Sequence, residues 1–166
     1  TLTTSSAASD VYKRQPDMNA VLGHSQFKRL DGFIDRRRDL ALRYRERLEG
    51  VPGILPLGDS VETDRHAWHL FIVRVDSEAA GIDREGLMAA LKSRNIGTGI
   101  HFRAAHGQRW FVDHPDRWRS ADLPNTEWNS DRICSLPLFP AMRDEDVDEV
   151  AEAIRAIVPS TGGVPA

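Results

Sequence analysis

The sequence lacks the usual features of a secreted, membrane-spanning or nucleic-acid-binding protein. Its 166 residues include one cysteine, Cys134, so no disulfide can form within the chain and nothing indicates an oxidising compartment. No apolar run approaches the roughly 20 residues that a membrane-spanning helix needs. The formal net charge is only −3, and acidic residues interrupt the arginines, which argues against a nucleic-acid or membrane surface. These absences favour a cytoplasmic protein.

Several active-site signatures are missing as well. No GxSxG or comparable setting surrounds a serine, and the stretch GTGIHFRAAH (residues 97–106) lacks the glycine spacing of a phosphate-binding loop. Among the six histidines, His66 and His69 would lie on opposite faces of a strand, and no close cysteine or carboxylate completes a ligand set with His101 and His106, so we expect no metal site. Cys134 lies in an apolar stretch for which we predict a helix, and we interpret it as an inert core thiol.

What is present suits one ordinary globular domain, with 40% hydrophobic and 28% charged residues. Over residues 16–50, apolar side chains recur at every third or fourth position, which predicts one long helix that ends at Gly50 and Pro52. A helix of this length is typical of a connection between two bodies. Its arginine-rich opposite face is most simply a solvated face.

The remainder alternates strands with helices, which favours an α/β (α+β) fold with a small sheet and helices on one face. Asp83 is a good N-cap for a helix that Asn95 and Gly97 close. The other predicted elements are a strand from about Trp68 to Val75, a strand over residues 97–102, a long loop over 103–122, a short helix over 125–135, a short strand over 136–139 and a final helix over 144–158.

The first residues need a separate interpretation. The stretch SSAASDVYKRQ (residues 5–15) resembles the translation of a common sequencing adapter in every codon. We therefore interpret residues 1–15 as a disordered, non-native leader and begin the native sequence at Pro16. The tail over residues 159–166 is also predicted to be disordered.

The strand predicted over residues 97–102 could end at a binding site. Strict alternation would place Ile100 and Phe102 on one face, with His101 and Arg103 on the other. An arginine and a histidine that emerge together suit a phosphate or carboxylate, because a guanidinium group can bind either with two hydrogen bonds. From spacing alone, an ordinary exposed strand end remains the simpler interpretation.

Four stretches carry a family resemblance: PDMNAVLGHSQFKRLDGFIDRRRDLALRY, HAWHLFIVRVD, GIDREGLMAALKSRNIGTGIHFRAAH and LPNTEWNSDRICSLPLFPAM. Together they resemble the C-terminal third of the DegT/DnrJ/StrS-type nucleotide-sugar aminotransferases, over residues 16–158. Within that family, the last two stretches are most similar to the enzymes that form UDP-4-amino-4-deoxy-L-arabinose for lipid A modification.

The resemblance implies the small C-terminal domain of a fold-type-I aminotransferase, a homodimer that uses pyridoxal 5'-phosphate. It implies a small, mainly antiparallel sheet over residues 51–158, preceded by a connecting helix over 16–50. The implied reaction moves an amino group from glutamate, which becomes 2-oxoglutarate, to a UDP-linked 4-keto sugar. The implied partners include neither nucleic acid nor a membrane.

The resemblance places His101, Phe102, Arg103 and His106 in a loop near the sugar nucleotide, and His69 in a strand that contacts substrate or makes a structural hydrogen bond. It assigns no catalytic residue within this chain, because neither Lys28 nor Lys92 resembles the family's cofactor-binding lysine. We therefore expect this chain to be inactive alone, and its cofactor contacts stay unknown. Two alternatives are open: amination of another 4-keto or 3-keto sugar nucleotide, and a non-enzymatic ligand-binding or regulatory domain.

Overall fold

The computed structural model describes residues 17–58, 66–118 and 122–158. The predicted disordered leader and tail, residues 1–15 and 159–166, lie outside these ranges. The helices are α1 (Asp17–Phe27), α2 (Leu30–Leu48), α3 (Ser77–Ala80), α4 (Arg84–Lys92), α5 (Arg109–Asp113), α6 (Pro124–Ser130) and α7 (Asp144–Ile157), and the strands are β1 (Ile54–Pro56), β2 (Phe71–Val75) and β3 (Ile133–Leu136).

The sheet is small and antiparallel, with β2 between β1 and β3. Along β2, Phe71, Val73 and Val75 are buried, whereas Ile72 and Arg74 on the other face are half-buried. Side chains of a strand alternate between faces, so the helices α2, α4 and α7 cover the first of these faces and complete the core. The α+β fold with helices on one face is therefore confirmed.

The predicted connecting helix is two helices, separated by a turn at Lys28 and Arg29. The second, α2, buries Leu40, Ala41, Tyr44 and Leu48 against the sheet and α7. The first, α1, buries no residue at all. Its apolar side chains are exposed: Met18 82%, Val21 69%, Leu22 61% and Phe27 72%.

The arginine face of α2 is not simply solvated, because part of it pairs with α7. Arg43 binds Asp148 with two hydrogen bonds, Nε to Oδ1 at 2.8 Å and Nη2 to Oδ2 at 2.6 Å. Arg47 approaches the same carboxylate at 2.9 Å, and Arg36 lies 2.8 Å from Asp144. The hydrogen bond from Arg43 is the main reason why the pKa of Asp148 lies below its ordinary value.

Local sequence signals correctly predicted the positions of the helices α4 and α7. The Asp83 carboxylate accepts a hydrogen bond from the backbone N–H of Gly86 at 2.7 Å, which caps α4 as predicted. The helix α4 ends at Lys92, and Asn95 then takes a positive φ of 61°. The apolar residues of α7, Val147, Val150 and Ile154, are buried.

The strand boundaries differ from the sequence prediction. Trp68 has a φ of 44°, which lies outside the β region, and β2 begins three residues later, at Phe71. The strand β3 overlaps the strand predicted over 136–139 only at Leu136, where it ends, and Pro137 has no N–H to donate. Cys134 therefore lies in β3 and not in a helix. The strand β1 lies between the predicted long helix and the strand predicted from about Trp68, where no element was predicted.

The strand predicted over residues 97–102 is absent, which corrects the prediction. Only one isolated bridge forms, between Gly99 and Ser135. The backbone leaves the sheet after Gly99, although β3 extends to Ile133, opposite residue 101 in this register. Within residues 103–118 the predicted loop contains α5 and two short 3₁₀ turns, Ala105–Gly107 and Pro115–Arg117.

Candidate functional site

Two serines hold the segment over residues 99–104 in place, Ser135 in β3 and Ser130 at the end of α6. Gly99 and Ser135 exchange both backbone hydrogen bonds, at 3.1 and 2.8 Å. The Ser135 hydroxyl lies 2.9 Å from Nδ1 of His101, and the backbone N–H of Ala104 donates to the Ser130 hydroxyl at 2.9 Å. The segment is irregular in dihedral angles, yet tertiary contacts fix it at both ends.

Gly99 allows the His101 ring to fold back toward Ser135. A Cβ atom at position 99 would lie only 2.6 Å from Cε1 of His101. Any other residue would therefore displace the ring from the hydroxyl that it contacts. The glycine is needed here for close approach, since it has no positive φ.

A buried arginine fixes the end of α6, from which Ser130 reaches the segment. Arg84 is only 7% exposed, and its guanidinium group donates to the backbone carbonyl of Ser130. Its Nε also donates to the Glu85 carboxylate at 3.0 Å, and this bond is the main cause of the lowered pKa of Glu85. Arg84 thereby connects α4, α6 and the 99–104 segment.

The two residues in the middle of this segment present their side chains to solvent. The Phe102 ring is 76% exposed and meets the His101 ring edge-on, with centroids 5.1 Å apart. Arg103 is exposed, and within the described ranges its guanidinium group has no hydrogen bond or ion pair. A free cation beside an ordered, exposed aromatic ring is able to bind an anionic ligand.

An open cleft of about 340 Å³ lies beside Phe102. The helix α6 forms its other wall. Its lining residues are uncharged: Phe102, Ala104, Asn125, Thr126, Asn129, Ser130 and Ile133.

His106 points away from this cleft into an aromatic cluster. Its Nε2 atom lies 3.4 Å from Oε1 of Glu127, and its ring stacks against Trp118 with centroids 6.3 Å apart. Trp118 is itself fixed by a hydrogen bond from Nε1 to the Phe111 carbonyl at 2.9 Å. His106 thus orients the loop behind the cleft.

The structure does not bring His69 to the same place. His69 is exposed just before β2 and lines a different cleft with His66, Trp68 and Phe71. None of residues 101–106 lines that cleft. Of the predicted group, only Phe102 lines the first cleft, with His101 and Arg103 beside it in sequence, while His106 and His69 lie elsewhere.

Sequence reasoning missed Arg84, Ser130 and Ser135, which organise the cleft. A signal was available for Ser135, because a serine within the apolar stretch ICSL would be buried and would need a hydrogen-bond partner. Arg84 gave no such signal, since its position after the Asp83 cap is typical of an exposed helix residue.

The described residues offer little for metal or cofactor chemistry. Within residues 17–58, 66–118 and 122–158, no three His, Cys, Asp or Glu side chains form a group that could hold a metal ion. Lys28 lies in the turn after α1 and Lys92 at the end of α4, both exposed. In the same part of the chain, no helix is long and apolar enough to cross a membrane.

The chain belongs to the DegT/DnrJ/EryC1/StrS aminotransferase family, whose model matches residues 8–155. This finding places the small sheet, its helices and the cleft beside Phe102 within a family of aminotransferases.

Solved structures agree with this assignment. The aminotransferase TlmJ from Streptoalloteichus hindustanus is 26% identical, with a TM-score of 0.74 over 86% of this chain and 36% of its own. DesV from S. venezuelae, solved with a ketimine intermediate, is 28% identical, with the same TM-score and coverage. DesI, solved in the presence of its TDP-sugar product, is 28% identical, with a TM-score of 0.67 over 79% and 34%. The chain spans about a third of the length of these solved chains.

Proposed function

We propose that this chain is the substrate-facing C-terminal part of a pyridoxal-phosphate-dependent aminotransferase for nucleotide sugars. The proposed reaction transfers the amino group of glutamate to a UDP-linked 4-keto-pentose and gives UDP-4-amino-4-deoxy-L-arabinose. The family membership and the neighbours that are sugar aminotransferases support the reaction class. The stretches GTGIHFRAAH and LPNTEWNSDRICSLPLFP favour this particular sugar.

One observation carries the substrate side of the proposal: Arg103 is exposed beside Phe102, has no partner among the described residues, and lies on a segment that Ser130 and Ser135 hold in place. In the proposed complex, the guanidinium group binds the diphosphate of the nucleotide sugar, because a phosphate accepts two parallel hydrogen bonds from arginine. His101, held by Ser135, orients the segment. Fixing these residues before the ligand arrives lowers the entropy cost of binding.

The described residues do not fit the cofactor by themselves. Pyridoxal phosphate supplies an electron sink at the carbon that carries the amino group, and it needs a lysine in an enclosed site. Lys28 and Lys92 are exposed at helix ends, and neither lines the cleft beside Phe102. We therefore propose that another part of a longer protein holds the cofactor, and that this chain alone does not transaminate.

The exposed apolar residues of α1 support a longer protein. Met18, Val21 and Leu22 lie on one side of the helix, and Phe27 lies on the opposite side by the rotation of 100° per residue. A helix that is apolar on both sides is typically buried. In the proposed full-length homodimer, α1 packs against the cofactor-binding body or the second subunit.

The test requires the coding sequence upstream of Pro16 and the longer protein that it specifies. With glutamate and the UDP-4-keto-pentose, we expect amino transfer, and the Arg103→Ala variant should bind UDP more than about tenfold more weakly, as expected for loss of a charged hydrogen bond. Arg38→Ala is the matched control, because Arg38 is an exposed arginine on α2. Equal UDP affinity of the two variants would remove Arg103 from the site.

The same upstream sequence and longer protein also test two other functions. DesI was solved with a TDP-sugar product, so a faster reaction with a TDP-linked 4-keto or 3-keto sugar would identify another nucleotide-sugar substrate. An upstream sequence without a cofactor-binding lysine, together with ligand binding and no amino transfer, would support a non-enzymatic ligand-binding or regulatory domain.

A further inference from the structure

We infer that α6 forms the second wall of the sugar site, and that Asn125 and Thr126 bind the hydroxyl groups of the sugar ring opposite Phe102. This inference rests on the proposed function and adds a place for the sugar itself. It concerns residues that the family resemblance leaves without a role.

The chemistry of the cleft suits a neutral ligand that carries hydroxyl groups. None of the seven lining residues is charged, so the cleft supplies no cationic side chain to pair with a phosphate. Asn125 and Thr126 are exposed, and within the described ranges neither side chain makes a hydrogen bond. An amide group and a hydroxyl group each donate and accept, which matches the mixed requirements of sugar hydroxyls.

Asn129 adds a third polar group with a defined orientation. Its Nδ2 donates to the Asn125 carbonyl at 2.7 Å, so its Oδ1 remains as an acceptor. Phe102 supplies the apolar surface on the other side of the cleft. A pyranose ring has both apolar C–H groups and polar edges, so it can contact the aromatic ring while its hydroxyls reach α6.

The size of the cleft also favours the sugar over the whole nucleotide sugar. Its volume of about 340 Å³ is near the lower limit of ligand pockets, which span roughly 300–1,000 Å³. Arg103 follows Phe102 directly but does not line the cleft. A sugar in the cleft therefore leaves its diphosphate outside, within reach of a free guanidinium group.

Hydrogen bonds at Ser130 fix the two walls of the cleft relative to each other. The Ser130 hydroxyl at the end of α6 accepts the N–H of Ala104, and Arg84 binds the Ser130 carbonyl. The wall that carries Phe102 and the wall that carries Asn125 thus share one anchor. This connection explains why a buried arginine lies beneath an exposed cleft.

The test compares UDP with UDP-L-arabinose, a stable probe that carries a pentose, by calorimetry on the full-length protein. The wild type should bind UDP-L-arabinose about fivefold to tenfold more tightly than UDP, as expected for one or two neutral hydrogen bonds. In Asn125→Ala and in Thr126→Val this ratio should fall toward one, while the affinity for UDP stays unchanged. Ser93→Ala, at an exposed serine just after α4, is the control and should keep the wild-type ratio.

The outcomes separate the inference from the proposed function. Failure of the wild type to bind UDP would overturn both. Binding of UDP with no gain from arabinose, or a gain that survives in Asn125→Ala and Thr126→Val, would overturn the inference and leave the nucleotide site standing. Circular dichroism checks that each variant is folded, and Thr126→Val keeps the side-chain shape if Asn125→Ala does not fold.

Discussion

The Nδ1 atom of His101 lies 2.9 Å from the hydroxyl oxygen of Ser135, a buried residue of β3. This pair holds an irregular segment against the sheet at a point where only one backbone bridge forms. Phe102 and Arg103 follow at once, so the position of both exposed side chains depends on a contact between residues 34 positions apart.

Replacing Ser135 by alanine should weaken both folding and binding. The change leaves a half-buried imidazole nitrogen without its partner, so the free energy of unfolding should fall by about 1–2 kcal/mol, measured by urea denaturation. Affinity for UDP should fall as well. Ser93→Ala is the control, because the exposed Ser93 hydroxyl donates only to the Ala90 carbonyl of its own helix. Equal losses in the two variants would contradict the anchoring role.

Gly99→Ala should disrupt the same contact between His101 and Ser135 by displacing the imidazole ring. The added Cβ would lie 2.6 Å from Cε1 of His101, so the ring must move away from Ser135. In combination with Ser135→Ala, the loss in free energy of unfolding should be clearly less than additive, because both changes disrupt the same interaction. Gly97→Ala provides the control, since a Cβ there meets nothing within 4 Å. Full additivity in the double variant would show that the two residues act independently.

The ion pairs between α2 and α7 should make stability depend on acid pH. The Arg43 hydrogen bond lowers the pKa of Asp148 in the folded state below its ordinary value of 3.8. This contribution is therefore complete above that value and is lost as the pH falls through the lower folded pKa. Asp148→Asn should lower stability at pH 7 and flatten the decline below pH 3.8. Asp39→Asn, an exposed carboxylate on α2, should follow the wild-type curve in urea titrations at each pH.

Cys134 should be unreactive until the protein unfolds. Burial in β3 raises the pKa of its thiol to about 11, so little thiolate exists at pH 8 and reagents have no access to it. A chromogenic disulfide reagent should therefore give no signal with the folded chain and one equivalent in denaturant, because Cys134 is the only cysteine. Rapid labelling without denaturant would mean that β3 opens readily.

The helices α1 and α2 should differ in hydrogen exchange when this chain is studied alone. The helix α1 buries no residue, so its amides should exchange much faster than those of α2 around Tyr44. In the longer protein that we propose, α1 should become protected by the surface that covers Phe27 and Leu22. Equal protection of both helices in the isolated chain would mean that α1 is stable without a partner.

Local sequence determined the elements whose signals lie within one turn of helix. Asp83 caps α4 through a neighbouring N–H, and the spacing of Val147, Val150 and Ile154 defines the buried face of α7. The adjacency of Phe102 and Arg103 is also local. These features depend on residues a few positions apart, so the sequence displays them directly.

Tertiary structure decided where each strand begins and ends. The strand β1 exists because β2 pairs with it, and nothing in ILP distinguishes it from the surrounding turns. Residues 97–102 have the alternation of a strand, but they form only an isolated bridge, between Gly99 and Ser135. A strand needs a neighbour, and the neighbour is set by distant residues.

The same dependence on distant residues explains why the sequence predicted the exposed site residues but not the residues that anchor them. Composition and motif resemblance predicted the group around His101, yet its anchoring by Ser130, Ser135 and Arg84 depends on hydrogen bonds between residues far apart in sequence. The placement of His69 in another cleft follows from where β2 begins. The sequence by itself determined the helices and the chemistry of the exposed side chains. Only the tertiary structure decided which of them share a cleft, because a cleft is formed by chains that meet in space.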